Sequence, residues 1–400
     1  MNYELLAPAG DLNTARVAMR YGADAVYMGG SMLQLRSKSV GLAMDDISAA
    51  VKEAHAAGKK IYVTVNSFAR DDELDAIPAY ARQLQDIGVD AAIISDPGVM
   101  SIFHDAAPGM DIHVSTQANC TNSATAKAYY ALGARRVVPA RELSLKQLIM
   151  LRKNLPADME IEAFIHGAMC MSYSGRCMMS AFMTGRSGNR GECTHPCRWK
   201  YHVVEEKRPG QFFPVEEDGD GMAIFSSYDL NCMDFMDRLM DAGIASFKIE
   251  GRMKSEYYVA TVVSAYRRRI DDILEGRASD LKRLNSELES VSHRPYSSGF
   301  YFGQLKNIGG DGGEYVQGCQ YSADVIAVNG GRAEIKLKNK FCEGDVLEAV
   351  TPGGADISFK VCNIVDENGE AMADAPVPTR TYFIDCPDGI SAGDILRRRL

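Results

Sequence analysis

The stretch EAFIHGAMCMSYSGRCMMSAFMTGRSGNRGECTHPC, residues 162–197, joins an apolar run to four of the chain's ten cysteines. Cys170, Cys177, Cys193 and Cys197 follow the spacing C-x6-C, then fifteen residues, then C-x3-C. Glycines lie between them, and glycine lets a backbone turn sharply enough for separated side chains to converge. Four converging thiolates form a soft ligand set, which suits zinc or an iron–sulfur cluster.

The spacing of the cysteines favours one of these two metals. Structural zinc sites usually show two C-x2-C hooks, and this stretch contains none. The wider, uneven gaps favour a 4Fe–4S cluster, with zinc as the alternative. The interpretations without a metal are four unrelated core or free cysteines, or a disulfide pair.

Apolar runs alternate with amphipathic segments on both sides of this stretch, from residue 1 to residue 255. Eight of the runs are short and nearly continuous, as strands buried on both faces are. They are Glu4–Ala7, Ala25–Met28, Lys60–Val65, Ala91–Ser95, Asp111–Ser115, Arg135–Pro139, Glu160–Ile165 and Ser246–Ile249. The pattern predicts an α/β fold, a (β/α)8 TIM-type barrel with the cysteine-rich insertion between strands 7 and 8. An open doubly wound sheet is the alternative, although no G-x-G-x-x-G turn follows the first strand.

The pattern changes near Gly299. Short alternating runs separated by turns such as Asn-Gly-Gly at 329–331 and Pro-Gly-Gly at 352–354 predict a small antiparallel β-barrel. We therefore expect a barrel domain over residues 1–298, carrying the cysteines, and a C-terminal β domain over residues 299–400. Lys336, Lys338 and Lys340 alternate there, either as a solvated edge or as a face that contacts RNA.

The composition is that of an ordinary globular protein, with 46% hydrophobic and 24% charged residues. No apolar run reaches 18 residues and no secretory signal opens the chain, so we expect no membrane span and a cytoplasmic location. A net charge of −9 argues against a purely electrostatic nucleic-acid binder, but it is compatible with an RNA enzyme that has a local basic face.

Polar residues collect at the carboxyl ends of the predicted strands, where a TIM barrel places its active site. We expect catalytic and substrate-binding roles there. The predicted catalytic residues are His166, Gln117, Arg141, Lys248 and Glu250, and the predicted substrate-binding residues are Asn66, Asp229 and Arg252. Structural alternatives are a packed His166, arginines that pair with Glu142 and Glu250, and Asp229 as a helix cap.

The motif Glu162-x-Phe164-x-x-Gly167-Ala168-Met169-Cys170-x4-Gly175-x-Cys177-x-Met179-Ser180 resembles the signature of the collagenase-like peptidase family of unassigned mechanism. The segments LLAPAGD at the start, YDL at 228–230 and FKIEGRMKS at 247–255 are similar to that family too. The resemblance covers nearly the whole chain. It is closest to the bacterial branch that hydroxylates the wobble uridine of tRNA.

This resemblance implies a 4Fe–4S cluster on the four cysteines and a prephenate-linked hydroxylation of tRNA. It also implies a small aromatic carboxylate as partner, which an arginine fork would bind, and a protein partner or a homo-oligomer. A peptidase is the alternative that the family name suggests. No H-E-x-x-H or G-x-S-x-G motif is present, and a Cys170–His166 nucleophile pair would leave three cysteines unused. A further alternative is an accessory subunit for rRNA or quinone hydroxylation.

Overall fold

The structure is a computed structural model that describes residues 3–35, 41–170, 172–199, 202–203, 213–214, 228–303, 315–354 and 357–400. The chain divides into two compact units. The first comprises Met1–Ala15, Ala23–Met253 and Arg294–Tyr315, and the second comprises Arg16–Gly22, Lys254–His293 and Val316–Leu400. No helix of the described residues is long and apolar enough to cross a membrane.

Eight parallel strands form the centre of the first unit. They are β1 (Glu4–Pro8), β2 (Ala25–Gly29), β3 (Lys60–Val65), β4 (Ala91–Ile94), β5 (Asp111–Val114), β6 (Ala134–Val137), β7 (Glu160–Ala168) and β11 (Ser246–Ile249). Each strand pairs in parallel with the next, and β11 pairs with both β1 and β7, which closes the barrel. The closed barrel confirms the predicted fold, and the open doubly wound sheet is excluded.

Helices lie in the segments between and after the strands. They are α1 (Leu12–Arg20), α2 (Met44–Ala56), α3 (Ile77–Asp86), α4 (Pro97–Ala106), α5 (Ser123–Ala131), α6 (Leu145–Asn154), α7 (Met179–Thr184), α8 (Met236–Asp241), α9 (Glu256–Leu274) and α10 (Leu281–Ser290). Ser144 forms a capping box with Gln147 before α6. Gly58 and Gly88 have positive φ directly after α2 and α3, the common glycine stop.

Two short strands extend the sheet beyond β7, one from the β7–β11 connection and one from the segment after α10. β10 (Asp229–Asn231) pairs antiparallel with the end of β7, and β12 (Tyr296–Ser297) pairs with β10. A separate two-stranded ribbon joins β8 (His202–Val203) to β9 (Phe213–Pro214). The rest of 200–227 lies outside the described residues. The four cysteines thus lie in the connection that follows β7, as the sequence predicted.

The second unit contains an antiparallel sheet of six strands. They are β13 (Cys319–Asn329), β14 (Arg332–Leu337), β16 (Val346–Val350), β17 (Ile357–Lys360), β19 (Thr381–Asp385) and β20 (Ile395–Arg399), and β15 (Phe341–Cys342) pairs separately with β18 (Asp374–Ala375). The strand order in the sheet is β17-β16-β20-β13-β14-β19. Inward side chains such as Val325, Ile335, Leu347 and Ile384 form its core.

Two of the three alternating lysines in this unit are already neutralised. Lys338 Nζ lies 3.1 Å from Asp324, and Lys340 Nζ lies 2.6 Å from Asp374. Lys336 is the only member of the three that lies in β14. Carboxylates of the same unit thus neutralise two of the three lysines. An RNA-contacting role for this unit stays a prediction.

Candidate active site

A cavity of about 200 Å³ opens at the carboxyl ends of the barrel strands. Side chains from the strand ends line one side of it, and the cysteine stretch lines the other. Its polar and sulfur-bearing lining includes Tyr27, Thr64, Asn66, Ser115, Thr116, Gln117, Arg141, Lys248, Glu250, Arg252, His195 and all four cysteines of the stretch. The carboxyl end of a TIM barrel is where such enzymes place their chemistry, so this cavity is the candidate active site.

Most of the predicted site residues meet in this cavity. Asn66, Gln117, Arg141, Lys248, Glu250 and Arg252 line it together with Cys170, Cys177, Cys193 and Cys197. His166 and Asp229 are not among the described residues that line it. Ten of the twelve predicted site residues therefore share one space.

His166 is buried and packs against Tyr296. Its Nε2 lies 3.4 Å from the Tyr296 hydroxyl, and the two ring centroids are 5.3 Å apart. Strict alternation along β7 would place His166 on the same side as Phe164, which lines the cavity. The pairing of β7 with β11 shifts register at this point, and such an irregularity changes which face a side chain takes.

Asp229 forms a buried ion pair. Its Oδ1 accepts hydrogen bonds from Arg294 Nη2 at 2.7 Å and from Arg294 Nε at 3.0 Å, and both side chains are buried. It lies in β10, so it is neither the predicted helix cap nor a lining residue of the cavity. The two-point contact with a guanidinium indicates a structural role at the junction of β7, β10 and β12.

Two glycines allow the close backbone approaches around the cavity. Gly175 has φ +72°, and a Cβ at this position would lie 2.1 Å from the Gln117 carbonyl oxygen. Gly167 has φ +100°, and a Cβ there would lie 2.4 Å from the Glu250 carbonyl oxygen. Both approaches require the missing side chain, which explains the glycines at these two positions of the motif.

Hydrogen bonds within the stretch hold the cysteines in place. Asn189 Nδ2 donates to the Cys177 carbonyl at 3.1 Å, and the Thr194 amide donates to Ser180 Oγ at 3.1 Å. The His195 amide donates to Cys193 Sγ at 3.4 Å. N–H donors to a sulfur ligand are one of the means by which proteins adjust the potential of a metal centre.

An ion pair anchors the same stretch to the loop after β3. Both Glu73 oxygens contact Arg190, at 3.0 and 3.1 Å, and Arg190 Nη1 also donates to the Phe68 carbonyl at 2.6 Å. The hydrogen bond from Arg190 holds the pKa of Glu73 below its ordinary value. No sequence pattern indicated this contact, because the two residues are far apart in the chain.

Three cations face the cavity, and their partners differ. Lys248 Nζ lies 2.7 Å from the buried carboxylate of Glu162 and 4.3 Å from the ring centroid of Tyr27. Arg252 donates to Thr64 Oγ1 at 2.7 Å and to the Leu35 carbonyl. Lys248 is thus paired with a carboxylate in the barrel interior, and Arg252 donates to a hydroxyl and a carbonyl oxygen.

Arg141 is held by a backbone carbonyl and an aromatic ring. It donates to the Ala168 carbonyl at 3.1 Å and lies over the ring of Phe164 at 5.0 Å, and no ion pair involves it in the described part of the chain. The predicted pairing with Glu142 is not formed, and Glu142 Oε2 is buried there without a hydrogen-bond partner. Burial raises the pKa of Glu142. The guanidinium charge of Arg141 remains available to an anion in the cavity.

A buried ionic network continues from Lys248 into the barrel. Arg136 contacts Glu162 at 3.2 Å and Glu4 at 2.5 Å, and Tyr62 donates to Glu4 at 2.6 Å. Burial opposes the charge on Arg136, but the two carboxylates outweigh it and raise its pKa well above the ordinary value. Burial likewise opposes ionisation of Glu4, and Arg136 overcomes it, so the pKa of Glu4 lies below its ordinary value.

Sequence reasoning missed several residues of the site. Tyr27 Oη donates to the Ile249 carbonyl at 3.0 Å and lies 3.4 Å from Glu250 Oε2, and Phe164 forms part of the wall. Both lie inside strands that read as apolar, so no pattern distinguished them from core residues. His195 has φ +54°, an uncommon value for a residue other than glycine, and lines the cavity between Cys193 and Cys197.

The arrangement of the four cysteines differs from that of ligands to a single ion. No group of three or more His, Cys, Asp or Glu side chains in the described ranges is placed to hold one metal ion. Four sulfur ligands of one tetrahedral zinc would lie only about 3.8 Å apart. The four cysteines line a common cavity, but the described side chains are not gathered around one ion.

Family models and known proteins place this site in context. The family model described as "Peptidase family U32" matches residues 10–310, and that described as "Peptidase family U32 C-terminal domain" matches residues 317–397. The chain is 36% identical to "tRNA hydroxylation protein P" of Escherichia coli, over 99% of this chain and 96% of that protein.

Two further relatives carry other names. "23S rRNA 5-hydroxycytidine C2501 synthase" of Escherichia coli is 34% identical over 92% of this chain and 55% of its own length. "Collagenase" of Porphyromonas gingivalis is 32% identical over 76% of this chain and 74% of its own length. RNA hydroxylation and proteolysis therefore both occur among the names of similar proteins.

Proposed function

The chain belongs to peptidase family U32, and on that premise we propose that it is an enzyme that hydroxylates RNA. The proposed target is the wobble uridine of tRNA and the proposed product is 5-hydroxyuridine. Similarity over nearly the full length of a tRNA hydroxylation protein supports this substrate. A location in the cytoplasm follows from the substrate as part of the same proposal.

One observation carries the proposal: four cysteines and six polar strand-end residues face a single cavity at the catalytic end of the barrel. A peptidase that used Cys170 would need a base beside it. His166, the histidine nearest in sequence, packs on Tyr296 and is not among the described lining residues. The position of His166 therefore does not support the Cys170–His166 nucleophile pair.

We propose that Cys170, Cys177, Cys193 and Cys197 hold a 4Fe–4S cluster. The uneven spacing of the four cysteines and the cavity that all four line support this proposal, because the ligands of a cluster bind separate irons around one space. When bound, such a cluster would supply one-electron chemistry or bind and polarise a reactant. Zinc is the alternative, and the absence of C-x2-C hooks in the stretch supports it less well.

The polar side chains of the cavity suit a uracil base. Uracil offers one N–H donor and two carbonyl acceptors, and amide side chains can match both kinds of group. Asn66 Nδ2 donates to Ser115 Oγ at 3.2 Å, whereas Asn66 Oδ1 has no hydrogen-bond partner in the described structure. In our proposal Asn66 Oδ1 accepts the uracil N3–H and Gln117 supplies a second contact.

Arg141 is the proposed binding residue for a small carboxylate such as prephenate. Its charge is not neutralised by a described carboxylate, and the Phe164 ring beneath it offers an apolar face. A guanidinium fork binds a carboxylate at two points, which fixes its orientation. Lys248 Nζ, held by Glu162, is the proposed donor of a proton or hydrogen bond at the cavity floor.

Mass spectrometry of tRNA nucleosides tests the reaction. In a strain that lacks the gene, wobble 5-hydroxyuridine should fall, and the wild-type gene should restore it. Arg141→Met should lower the modification about tenfold or more, because a charge-assisted contact is lost. Arg135→Met is the matched control, since Arg135 is exposed and pairs with Asp158.

Unchanged 5-hydroxyuridine in the deletion strain would refute tRNA hydroxylation. Loss of a hydroxylated rRNA base or quinone instead would favour the accessory-subunit alternative. Peptide release from gelatin by a variant lacking all four cysteines would favour the peptidase.

A further inference from the structure

Exposed apolar side chains are concentrated on the cysteine stretch. Tyr173, Met178, Phe182, Met183 and Trp199 are 56, 69, 88, 44 and 46% exposed. We call these five side chains the rim surface. All five fall within 27 consecutive residues (173 to 199), whereas exposed large apolar side chains are scattered elsewhere. Such a concentration marks a binding site more often than chance.

The rim surface lies beside the cavity and is held firmly. Tyr173 itself lines the cavity. α7, which carries Phe182, packs against the turn at Pro196–Arg198 that leads to Trp199. The Thr194 hydroxyl lies 3.2 Å from both Ser180 Oγ and Thr184 Oγ1, which ties α7 to the second pair of cysteines. The exposed rings are therefore presented by an ordered scaffold.

The charge of the same stretch is opposite to that of the whole chain. Residues 170–199 contain four arginines and one glutamate, in a chain of net charge −9. Arg176 and Arg186 are exposed to solvent at least in part and form no ion pair with described residues, whereas Arg190 is paired with Glu73. Arginines interleaved with exposed aromatic rings are typical of surfaces that bind single-stranded nucleic acid.

We propose that the rim surface is a stacking platform for the unpaired nucleotides that flank the target base in an RNA loop. The inference rests on the proposed RNA substrate and names how the RNA is held. Tyr173, Phe182 and Trp199 stack on bases, while Arg176 and Arg186 contact phosphates. A base taken into the cavity leaves its neighbours unstacked, and the platform compensates for that lost stacking.

This arrangement selects loops over duplexes. Bases in a duplex are stacked on each other and offer no free face to an aromatic side chain. A protein partner would also fit this composition, because interfaces are rich in aromatic residues, methionine and arginine. The excess of arginines over the single glutamate favours a polyanion, and Tyr173 lines the cavity proposed for the target base. Charge and aromatic content together favour the RNA loop.

Trp199 makes the proposal testable, because it is the chain's single tryptophan. The reconstituted protein is titrated with an anticodon stem-loop bearing wobble uridine, and with a duplex of the same composition. We expect the stem-loop to quench Trp199 fluorescence and the duplex to quench it little. Phe182→Ala should weaken stem-loop binding about tenfold, since each stacked base contributes about that factor.

Two matched controls separate the platform from general effects. Phe302→Ala and Met150→Ala remove exposed apolar side chains that lie away from the stretch, and both should bind the stem-loop as the wild type does. Arg186→Gln should reduce the slope of log affinity against log salt concentration by about 0.7, the share of one phosphate contact on a single strand.

The platform is overturned if stem-loop binding leaves Trp199 fluorescence unchanged, or if Phe182→Ala binds as tightly as Phe302→Ala. Binding is measured without turnover, so its outcome is separate from that of the proposed reaction. Quenching by the stem-loop in a protein that forms no 5-hydroxyuridine would retain the platform and remove only the reaction. Normal hydroxylation by a Phe182→Ala, Trp199→Leu double variant would remove the platform and retain the reaction.

Discussion

Gly175 brings the cysteine stretch against the loop after β5. Its φ is +72°, and a Cβ added to it would approach the Gln117 oxygen to 2.1 Å, which leaves no room for a side chain. Gly185 has nearly the same φ, +70°, but a Cβ there meets nothing within 4 Å. Alanine substitutions at the two positions therefore distinguish the cost of a left-handed backbone from the cost of a steric clash.

We expect Gly175→Ala to abolish hydroxylation and to lower iron content, because the loop must move away from Gln117. Gly185→Ala should lose only about 1 kcal/mol of stability, from a left-handed backbone, and keep its iron. Iron quantitation and thermal unfolding of the two variants check this. Equal iron content in both variants would show that the close approach is not required.

The residues at the site were predictable to the extent that their chemistry was visible as a pattern. Cysteine spacing and polar strand ends revealed ten lining residues. His166 and Asp229 followed the same pattern but lie elsewhere, because a register shift and an arginine from a distant segment decide their surroundings. Such partners become visible only in three dimensions.

Lys248 and Glu162 connect two adjacent strands, β11 and β7, inside the barrel. Both side chains are almost fully buried, and their atoms lie 2.7 Å apart. Removing one member of a buried pair leaves an uncompensated charge, which costs about 3–5 kcal/mol. Each of the two strands therefore carries a buried charge that the other strand neutralises.

A double-mutant cycle separates structure from catalysis at this pair. Lys248→Met and Glu162→Gln should each destabilise the protein, and the double variant should recover stability, with a coupling energy of about 2 kcal/mol. Hydroxylation should be absent from Lys248→Met and from the double variant, because the cavity loses its Lys248 Nζ donor. Restored activity in the double variant would assign Lys248 a purely structural role.

The Glu4–Arg136 pair should make the first unit sensitive to acid. The pKa of Glu4 is lowered from 4.5, so its stabilising contribution is complete above about pH 4.5 and is lost as the pH falls below that value. Glu4→Gln should be less stable at neutral pH, and below pH 4.5 its unfolding free energy should fall less steeply, by up to about 1.4 kcal/mol per pH unit.

Glu160→Gln provides the control for that experiment. Glu160 also contacts Arg136, at 2.7 Å, but about half of its side chain is exposed. Denaturant unfolding across the acidic range should give Glu160→Gln a pH dependence close to that of the wild type. A similar flattening in both variants would contradict the role assigned to burial.

The strands of the barrel could be predicted because each is a compact apolar run, but β10 and β20 could not. β10 has only three residues and gains its place by pairing with β7. β20 ends in three arginines, a residue type that is mostly exposed in folded proteins. Arg397 is instead buried and contacts Glu287 at 2.6 Å and Glu348 at 2.9 Å. Glu287 in α10 and Glu348 in β16 neutralise this arginine, which allows it to be buried in β20.

Across the whole chain, charge is distributed unevenly. The whole chain has a net charge of −9, but the cavity does not share this acidic character. Arg141, Lys248 and Arg252 line it, and the arginines of the cysteine stretch lie near it. Composition alone argues against a purely electrostatic nucleic-acid binder. It could not reveal where the cations of the site meet, because they come from the cysteine stretch and from two strand ends, those of β6 and β11.

The proposed reaction depends above all on four sulfur atoms that share one iron-containing group. After anaerobic reconstitution, the wild-type protein should bind about four irons and four sulfides per chain and give a low-temperature EPR signal on reduction. Cys193→Ala should lose both, whereas Cys342→Ala, which removes an exposed cysteine outside the stretch, should keep both. A colourless protein holding one zinc per chain, or iron retained unchanged in Cys193→Ala, would contradict the assignment.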